Sequence, residues 1–460
     1  MSFFRQAASV LATSVATVPL SVLANVIVTR NLEPAARGQF AVVTVLAGTL
    51  VLFSNLGWPL ATIYRLKRLK SDPAEVMTAS VVATLTLAIT VLFLGAGLEA
   101  VGFGDFGSVP AEVLWLGLAT VPFQLLTRLF SYAAKGIDRF DIRNWTTFAL
   151  ASLRFAAIGL AWLFAPGSLN ATLWGNLISV ALVAAASGVA VLRQTGLSRR
   201  VNPTEIRESL KFGLETTAQT LAGELHQQVD ILLMGPLAIP AAQIALYSIA
   251  AGLIQQIRLV PDAIALALFP RLTGSDDADA IAFTTKVCRH SLLWVLVCCA
   301  GLGLIVPFLV PFLYGAAYSE ALPAFYILLP AMALLNLYRV VARYFISRGR
   351  PRVTIVTQLG ALVINVALNL VLMPRFGIEG AAFSSLVSYG LEAAWITWVF
   401  MRETGRRPSE LLVFRFFRPA GRPTDAGPTR SRGVGEDWAV YQRRIDAFRA
   451  RWRARRGGST

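Results

Sequence analysis

Residues 77–97 read Met77-Thr-Ala-Ser-Val-Val-Ala-Thr-Leu-Thr-Leu-Ala-Ile-Thr-Val-Leu-Phe-Leu-Gly-Ala-Gly97, and none of them carries a charge. This length matches the roughly 20 residues that an α-helix needs to cross the hydrocarbon core of a bilayer. The run is continuous and rich in Leu and Ala rather than alternating, which argues against a transmembrane strand. A window of about 19 residues moved along the chain finds about twelve such spans. They lie at about 6–29, 38–63, 75–97, 112–134, 145–164, 169–192, 209–235, 240–265, 287–311, 321–346, 353–374 and 377–401. The sequence therefore predicts an all-α polytopic membrane protein.

The composition of the whole chain supports this class. Its 460 residues are 55% hydrophobic and only 15% charged, and the mean hydropathy is +0.61. A water-soluble domain needs more charge on its surface than this chain has. The first span is too long for the apolar region of a signal peptide, so we expect it to be retained as a helix.

Basic residues are distributed unevenly between the loops. Loops after odd-numbered spans contain only Arg30, Arg37 and Arg375. Loops after even-numbered spans contain Arg65, Lys67, Arg68, Lys70, Lys135, Arg139, Arg143, Arg193, Arg199, Arg200, Arg207, Lys211, Arg271, Lys286, Arg289, Arg348, Arg350 and Arg352. The positive-inside rule therefore predicts that both termini lie in the cytoplasm, in a protein of the inner (plasma) membrane. The same distribution argues against nucleic-acid binding, because the net charge of +16 belongs to loops and not to one basic domain.

Residues 402–460 differ in composition and are predicted to form a basic cytoplasmic tail. Residues 419–435 are rich in Pro, Gly and Arg, which is typical of a flexible linker. Apolar residues then recur at spacings of three and four, as on one face of a helix surrounded by arginines. They are Trp438, Tyr441, Ile445, Phe448 and Trp452. Such a helix can lie on an anionic leaflet, and a partly disordered basic tail is the alternative.

The sequence does not favour an enzyme. The three cysteines, Cys288, Cys298 and Cys299, lie in or beside one apolar span, as buried small hydrophobic residues do. The chain has only two histidines, and no Gly-rich phosphate-binding loop with its Lys. We therefore predict no metal, no cofactor and no ATP hydrolysis, so that transport would draw on an ion gradient or on consumption of the substrate.

The chain repeats itself weakly. Residues 25–41 and residues 230–248 share an order of features: a helix end, Leu, Pro, small residues, an aromatic residue and a new helix. Each half contains six predicted spans, so both halves start on the same face and are related by an axis along the membrane normal. The predicted units are residues 1–200 and residues 201–401, with a cavity between them. Alternating access requires such an arrangement, whereas channels and enzymes seldom do.

Several short stretches carry a family resemblance. In the first half they are Arg30-Asn-Leu-Glu-Pro-Ala-Ala-Arg-Gly-Gln-Phe-Ala41 and Asn55-Leu-Gly57. In the second half they are Asp230, Tyr247-Ser-Ile-Ala250, Phe269-Pro-Arg-Leu272 and Pro374-Arg-Phe-Gly-Ile-Glu-Gly-Ala-Ala-Phe-Ser-Ser385. Together, over about residues 1–400, they resemble Wzx-type polysaccharide flippases of the multidrug/oligosaccharidyl-lipid/polysaccharide (MOP) exporter superfamily.

The resemblance implies a fold and a function. The fold would be two six-helix bundles arranged as a V around a central cavity. The substrate would be an anionic glycan linked to undecaprenyl diphosphate, and the partners would be membrane lipids, with a polysaccharide polymerase and glycosyltransferases as candidates. One departure concerns Asp230, which precedes a basic residue in many relatives but is followed here by Ile231.

Polar residues inside the seventh span form the first group of candidate site residues. A charge at the centre of a spanning helix costs about 2.5–3.5 kcal/mol, so each one needs a reason. At about 100° per residue, Glu215, Gln219, Gly223, His226 and Asp230 share one side of this helix, and Glu224 lies roughly opposite, near Thr220, Gln227 and Gln228. A helix that is polar on two sides is expected to line the cavity. Glu224, His226 and Asp230 are candidates for ion coupling, and a satisfied interhelical hydrogen-bond network is the alternative.

Arginines inside the spans form the second group. They are Arg128, Arg154, Arg258, Arg339 and Arg343, of which the last two are four residues apart and share a helix face. One hypothesis is that they bind the anionic substrate in the cavity. The alternative is that they snorkel to the cytoplasmic interface, which applies least well to Arg154 near the middle of its span. Asp262, His290 and Glu392 are weaker candidates, for which a structural role is favoured.

Two other functions compete with a lipid-linked oligosaccharide flippase. A cation-coupled multidrug exporter of the same superfamily would take cationic ligands, which five intramembrane arginines would repel. A membrane glycosyltransferase or polymerase would carry a large outer loop with catalytic carboxylates, and the predicted outer loops are short.

Overall fold

The protein is described by a computed structural model that covers residues 3–100, 109–199, 203–257 and 276–412. These residues form helices, and no strand occurs among them. The first half contains α1 (Phe3–Asn31), α2 (Pro34–Ser54), α3 (Trp58–Tyr64), α4 (Pro73–Ala100), α5 (Ala111–Leu118), α6 (Thr120–Gly136), α7 (Phe140–Phe164) and α8 (Leu169–Thr195). The second half contains α9 (Pro203–Met234), α10 (Ala241–Ile257), α11 (Asp277–Leu313), α12 (Leu322–Ser347), α13 (Pro351–Thr404) and α14 (Pro408–Leu412). A π-helical turn (Arg65–Leu69) extends α3, and a 3₁₀ turn (Ala316–Ala321) precedes α12.

Local sequence signals set several of these helix ends. Proline occupies the first turn of α2 and of α13, where its missing N–H costs no hydrogen bond. At the start of α8 the Ser168 hydroxyl accepts a hydrogen bond of 3.1 Å from the backbone N–H of Ala171.

The predicted spans overlap the helices, with one change of shape in each half. The predicted span 38–63 is broken after Ser54, where Leu56 and Gly57 take positive φ values before α3 begins. The predicted spans 353–374 and 377–401 are the two arms of α13, which bends at Gly377 (φ 58°, ψ −135°). The arms fold back on each other, since the Asn365 amide lies 3.2 Å from the Ser388 hydroxyl. We call them the 351–376 arm and the 378–404 arm.

The surface confirms a membrane protein. Nine segments in the described part of the chain are long and apolar enough to cross a bilayer. Large apolar side chains stand on their outer faces, including Phe93 (74% exposed), Phe164 (82%) and Phe308 (77%). A water-soluble protein rarely leaves so large an apolar surface uncovered. The predicted all-α polytopic membrane fold is therefore confirmed. The helix α9 is not among the nine segments, in keeping with its many polar residues.

Most helices pack extensively within their own half, whereas α2 and α10 pack mainly on each other across the halves. In the first half α1 packs on α7, and α8 packs on α6 and α7. In the second half α13 packs on α12 and α9, and α11 packs on α12. The halves meet where α2 contacts α10 and α9, and where α3 and α4 contact α9.

Polar contacts link the halves at both ends of the bundle. At the Arg30 end, which contains the α1–α2 connection, Arg30 donates to the backbone carbonyls of Phe312 and Leu313 at the end of α11. At the Arg65 end, which contains the α3–α4 connection, Nε of Arg65 donates to Ser209 Oγ over 2.6 Å. The two halves therefore touch at both ends.

The structure corrects the position of Arg37, which the sequence analysis placed in an outer loop. It lies inside α2 and is 4% exposed. Three other predictions fall outside the described residues: Arg258, Asp262 and the amphipathic helix within residues 438–452.

Candidate functional site

A cavity of about 490 Å³ lies inside the first half. The cavity expected between the halves is a separate feature and stays a prediction. Helices α1, α2, α5, α6, α7 and α8 form the wall of the cavity in the first half, mainly at the levels nearer the Arg30 end. Its volume falls within the roughly 300–1,000 Å³ of typical small-molecule sites. Its polar lining consists of Thr17, Ser21, Asn25, Arg37, Thr44, Thr120, Gln124, Thr147, Arg154 and Asn176. These described lining residues include two arginines and no carboxylate.

Arg37 is held rigidly in the cavity wall. Its Nε donates to Thr29 Oγ1 over 3.1 Å, and its Nη2 donates to Asn25 Oδ1 over 3.0 Å. Both partners belong to α1, which lies beside α2 near the Arg30 end. A guanidinium fixed in this way presents its positive charge in one direction.

Arg154 has fewer partners. It is half-buried on α7, and its Nε is enclosed with no hydrogen-bond partner among the described residues. A buried donor without a hydrogen-bond partner costs about 1–3 kcal/mol, and a charged donor costs more, unless another group accepts its hydrogen bond. An anion in the cavity would supply that group.

The cavity is therefore chemically suited to an anionic, hydroxyl-rich ligand. Guanidinium groups bond phosphate or carboxylate oxygens through a planar fork. The amides of Asn25, Gln124 and Asn176, with the hydroxyls around them, can exchange hydrogen bonds with a sugar.

A second polar site lies in the second half, where α9 meets α13 and α10. Asp230 on α9 is 3% exposed, and three donors surround its carboxylate. Tyr247 Oη and Ser385 Oγ each donate to Oδ2 over 2.5 Å, and Asn369 Nδ2 donates to Oδ1 over 2.7 Å. These bonds satisfy the ionised form of Asp230. A cavity of about 40 Å³ reaches Asp230, Tyr247, Ser385 and Tyr389, which is room for a water molecule.

His226 lies one turn before Asp230 on the same face of α9. It is 2% exposed, and its Nε2 lies 3.0 Å from Ser388 Oγ. Its Nδ1 lies 3.5 Å from Oε2 of Glu392, and its ring meets Tyr389 edge to face with centroids 4.7 Å apart. Gly223 on α9 faces the 351–376 arm of α13, since a Cβ at Gly223 would lie 2.6 Å from Nε2 of Gln358.

The opposite side of α9 also packs on helices. Gln228 accepts a hydrogen bond of 2.8 Å from Thr49 on α2, and Gln227 accepts one of 3.4 Å from Arg339 on α12. Glu224 is half-buried. Among the described side chains, both polar sides of α9 therefore make interhelical contacts, and a small cavity reaches α9 beside Asp230.

The predicted arginines are dispersed. Arg154 lines the cavity of the first half, and Arg339 lies against α9 in the second half. Arg128 and Arg343 are exposed on α6 and α12 and do not line that cavity.

Sequence reasoning missed the partners that complete both sites. Arg37 was assigned to a loop because the start of α2 was placed four residues late. The partners of Asp230 and His226 on α13 were missed because they are short or apparently isolated polar residues. A spacing signal was present, since Asn365 and Asn369 are four apart, and Ser385, Ser388 and Glu392 are three and four apart.

Comparison with known proteins places the chain in a family. Residues 3–275 match the model of the family described as polysaccharide biosynthesis protein. A provisionally assigned O-antigen transporter of Shigella flexneri is 24% identical over 287 residues, which cover 61% of this chain and 68% of the relative. Among solved structures, the lipid II flippase MurJ in an inward closed conformation superposes with a TM-score of 0.71 and 11% identity, covering 84% of this chain and 86% of that one. An inward-facing multidrug resistance MATE family transporter of the MOP superfamily has a TM-score of 0.69 and 14% identity, covering 83% and 94%. The predicted resemblance is confirmed: the chain belongs to the polysaccharide biosynthesis protein family and has the fold of MOP superfamily transporters.

Proposed function

We propose that this protein is a flippase that moves an undecaprenyl-diphosphate-linked oligosaccharide from the cytoplasmic to the outer leaflet for polysaccharide biosynthesis. The observation that carries the proposal is the cavity of the first half, with Arg37 and Arg154 in its wall and no carboxylate among its described lining residues. A lipid-linked glycan has an anionic diphosphate and many hydroxyls, and both classes of group have matching partners there. The family membership and the similarity to an O-antigen transporter support the same substrate class.

The proposed transport cycle uses the two halves as units. Residues 1–200 and 201–401 would rock against each other as parallel six-helix bundles, opening the Arg65 end to the cytoplasm and then the Arg30 end to the outside. Both termini would lie in the cytoplasm. The contacts of Arg30 and Arg65 between the halves are the ones that would have to break in turn.

A cation-coupled multidrug exporter is the second candidate, because the fold is also that of a MATE transporter. The charge of the cavity argues against it. A cationic drug would meet Arg37 and Arg154 without a carboxylate from the described lining residues to balance them.

Energy coupling is proposed to run through α9. Glu224, His226 and Asp230 are the candidates, and protonation of one of them would link transport to a proton gradient. Asp230→Asn and Glu224→Gln are then expected to reduce transport while the protein remains inserted and abundant. Wild-type transport rates in both variants would leave Glu224 and Asp230 a structural role only.

The substrate is tested by deleting the gene and identifying the lipid-linked intermediate that accumulates in the cytoplasmic leaflet. An undecaprenyl-diphosphate-linked glycan is the expected intermediate. Unchanged lipid-linked pools would contradict the proposal.

The role of the arginines is tested by complementing that deletion. Lysine keeps the charge but loses the planar fork, so Arg154→Lys should lower export by about 10-fold or more if one charge-assisted hydrogen bond is lost, and Arg154→Ala should lower it further. Arg339→Lys and Arg343→Lys test the same idea in the second half. Arg193→Lys, exposed at the end of α8, is the matched control and should export normally. If Arg154→Lys, Arg339→Lys and Arg343→Lys all export at the wild-type rate, these arginines do not bind the substrate. Their role would then be to anchor the helices at the membrane interface.

A further inference from the structure

The Glu392 side chain is a buried acid that the sequence analysis interpreted as structural. It projects from the 378–404 arm of α13 and is 2% exposed. Neither of its carboxylate oxygens has a hydrogen-bond partner among the described residues. An ionised carboxylate without partners is strongly disfavoured in a low-dielectric interior, so Glu392 needs a proton or a cation beside it.

The hydrogen bonds of Ser388 determine which nitrogen of His226 faces Glu392 as an acceptor. The Ser388 hydroxyl donates to the backbone carbonyl of Ser385 over 3.1 Å, so its hydrogen is used. Its oxygen then accepts from Asn365 Nδ2 at 3.2 Å and from His226 Nε2 at 3.0 Å. This assigns the hydrogen of the neutral ring to Nε2 and leaves Nδ1 bare.

The bare Nδ1 is the atom that lies 3.5 Å from Oε2 of Glu392. One proton placed between these two atoms satisfies both of them. The neutral ring places this proton on the carboxyl, which donates it toward the bare Nδ1. The pair then carries no net charge, which burial favours.

We propose that His226 and Glu392 together form a buried proton-binding site, and that this pair, rather than Asp230, carries the coupling proton of transport. The inference rests on the proposed function for its role in transport. The proton is taken from water when one end of the bundle is open and returned to water when the other end is open. The pair exchanges only this proton with water, and no covalent bond between heavy atoms changes.

Asp230 is less suited to this task because its carboxylate is already satisfied as an anion. Three donors bind it, and none of these bonds needs a proton on the carboxylate. It lies one turn from His226, so its negative charge favours keeping the proton on the pair. The small cavity beside Asp230 reaches Tyr389, which packs on the His226 ring, and provides room for water near the pair.

Other charged and titratable groups around the pair come from each neighbouring helix. Helix α12 supplies Tyr338, Arg339 and Arg343, and Tyr338 lies within electrostatic reach of Glu392 and of both arginines. Helix α10 supplies Tyr247, α13 supplies Tyr389, and α9 itself supplies Glu224 and Asp230. Helix α2 contributes the neutral hydroxyl of Thr49, which contacts Gln228 on α9. The Arg65–Glu208 ion pair lies near the N-terminal end of α9, away from His226 and Glu392.

The proton is observed directly by infrared spectroscopy of the purified full chain in lipid nanodiscs. The wild-type protein should show the carbonyl stretching band of a buried protonated carboxylic acid. Glu392→Gln should abolish this band. The matched control is Glu379→Gln, which removes an exposed carboxylate from the same arm of α13 and should leave the band unchanged.

A second variant tests the pairing and keeps the carboxyl. In Ser388→Ala the Nε2 hydrogen loses its acceptor, so the ring can move its hydrogen to Nδ1 and donate to an ionised Glu392. The band should then be weaker than in the wild type under the same conditions. A band that persists in Glu392→Gln, or one that Ser388→Ala leaves at full strength, would overturn the site.

The coupling role is tested in vesicles with an imposed proton gradient. Gradient-dependent transport of the lipid-linked glycan should be lost in Glu392→Gln and retained in Glu379→Gln. Wild-type gradient dependence in Glu392→Gln would overturn the coupling role. A wild-type protein that kept the Glu392 band but moved no glycan would contradict the proposed function, while still supporting the proton site.

Discussion

Four charged side chains inside the described part of the chain are of two kinds, distinguished by their hydrogen bonds. Asp230 and Arg37 have neutral polar partners that hold them in one position. Arg154 and Glu392 have enclosed polar atoms without hydrogen-bond partners among the described residues. The first kind stabilises one packing of the helices. The second kind is suited to binding something that comes and goes, an anion at Arg154 and a proton at Glu392.

The contribution of the Asp230 network to stability is tested by Tyr247→Phe. This change removes a hydroxyl that donates to a buried carboxylate and keeps the ring in place. We expect a loss of about 1.5–3 kcal/mol, because the lost bond involves a charged group. The measurement is thermal unfolding of the purified protein in detergent.

Tyr326→Phe is the matched control for this experiment. Tyr326 is 43% exposed, and its hydroxyl donates to the neutral carbonyl of Gly303 over 2.8 Å. The expected loss is about 0.5–1.5 kcal/mol. Equal effects of the two substitutions would mean that the Asp230 network adds no special stability.

At the scale of single elements, α2 joins the two halves while it lines the cavity. Its residue Arg37 faces α1 and the cavity, and the next residue, Gly38, lies against the backbone of α10. A Cβ at Gly38 would lie 1.7 Å from the carbonyl oxygen of Ala241. Only glycine allows α2 and α10 to approach this closely at the Arg30 end.

Gly38→Ala is therefore expected to destabilise the protein by about 1–3 kcal/mol, because the two helices must move apart to admit the methyl group. Thermal unfolding in detergent measures the loss. Gly48→Ala in the same helix is the control, since a Cβ there meets no atom within 4 Å. It should be neutral or stabilise the helix by about 0.5–1 kcal/mol. A Gly38→Ala variant as stable as Gly48→Ala would show that the contact between α2 and α10 is loose.

At the scale of the whole molecule, the basic residues gather at one end. The Arg65 end contains Lys67, which pairs with Asp138 over 2.6 Å, and Arg350, which pairs with Glu403. The correction to Arg37 removes one of the three basic residues that the sequence analysis placed in the outer loops. The charge asymmetry between the two ends is therefore larger than the sequence suggested, and the positive-inside rule still predicts that the Arg65 end faces the cytoplasm.

This orientation predicts the accessibility of single cysteines in intact cells, in a background without the three native cysteines. Ser319→Cys, at the Arg30 end, should react with an impermeant thiol reagent. Ser108→Cys, which lies outside the described residues, is predicted to do the same. Lys67→Cys and Arg199→Cys should react only after the cells are permeabilised. If the cysteines at positions 67 and 199 react first in intact cells, the predicted orientation is wrong.

The sequence by itself determined the fold class, the positions of the helices and the types of residue placed inside the membrane. These properties depend on local composition, because a span is recognised by its length and hydropathy, whatever its neighbours are. The polar character of α9, and the energetic cost of placing Arg154 and Asp230 inside the membrane, also follow from local composition.

Only the tertiary structure decided which of these residues meet. His226 and Glu392 are far apart in the chain, and they come together because α13 folds back at Gly377 and its second arm packs on α9. Arg37 and Arg154 share a cavity because α2 and α7 both pack around α1. A hydropathy pattern fixes the depth of each residue in the membrane, but its rotation and its neighbours follow from the packing of side chains between helices, which no single span contains.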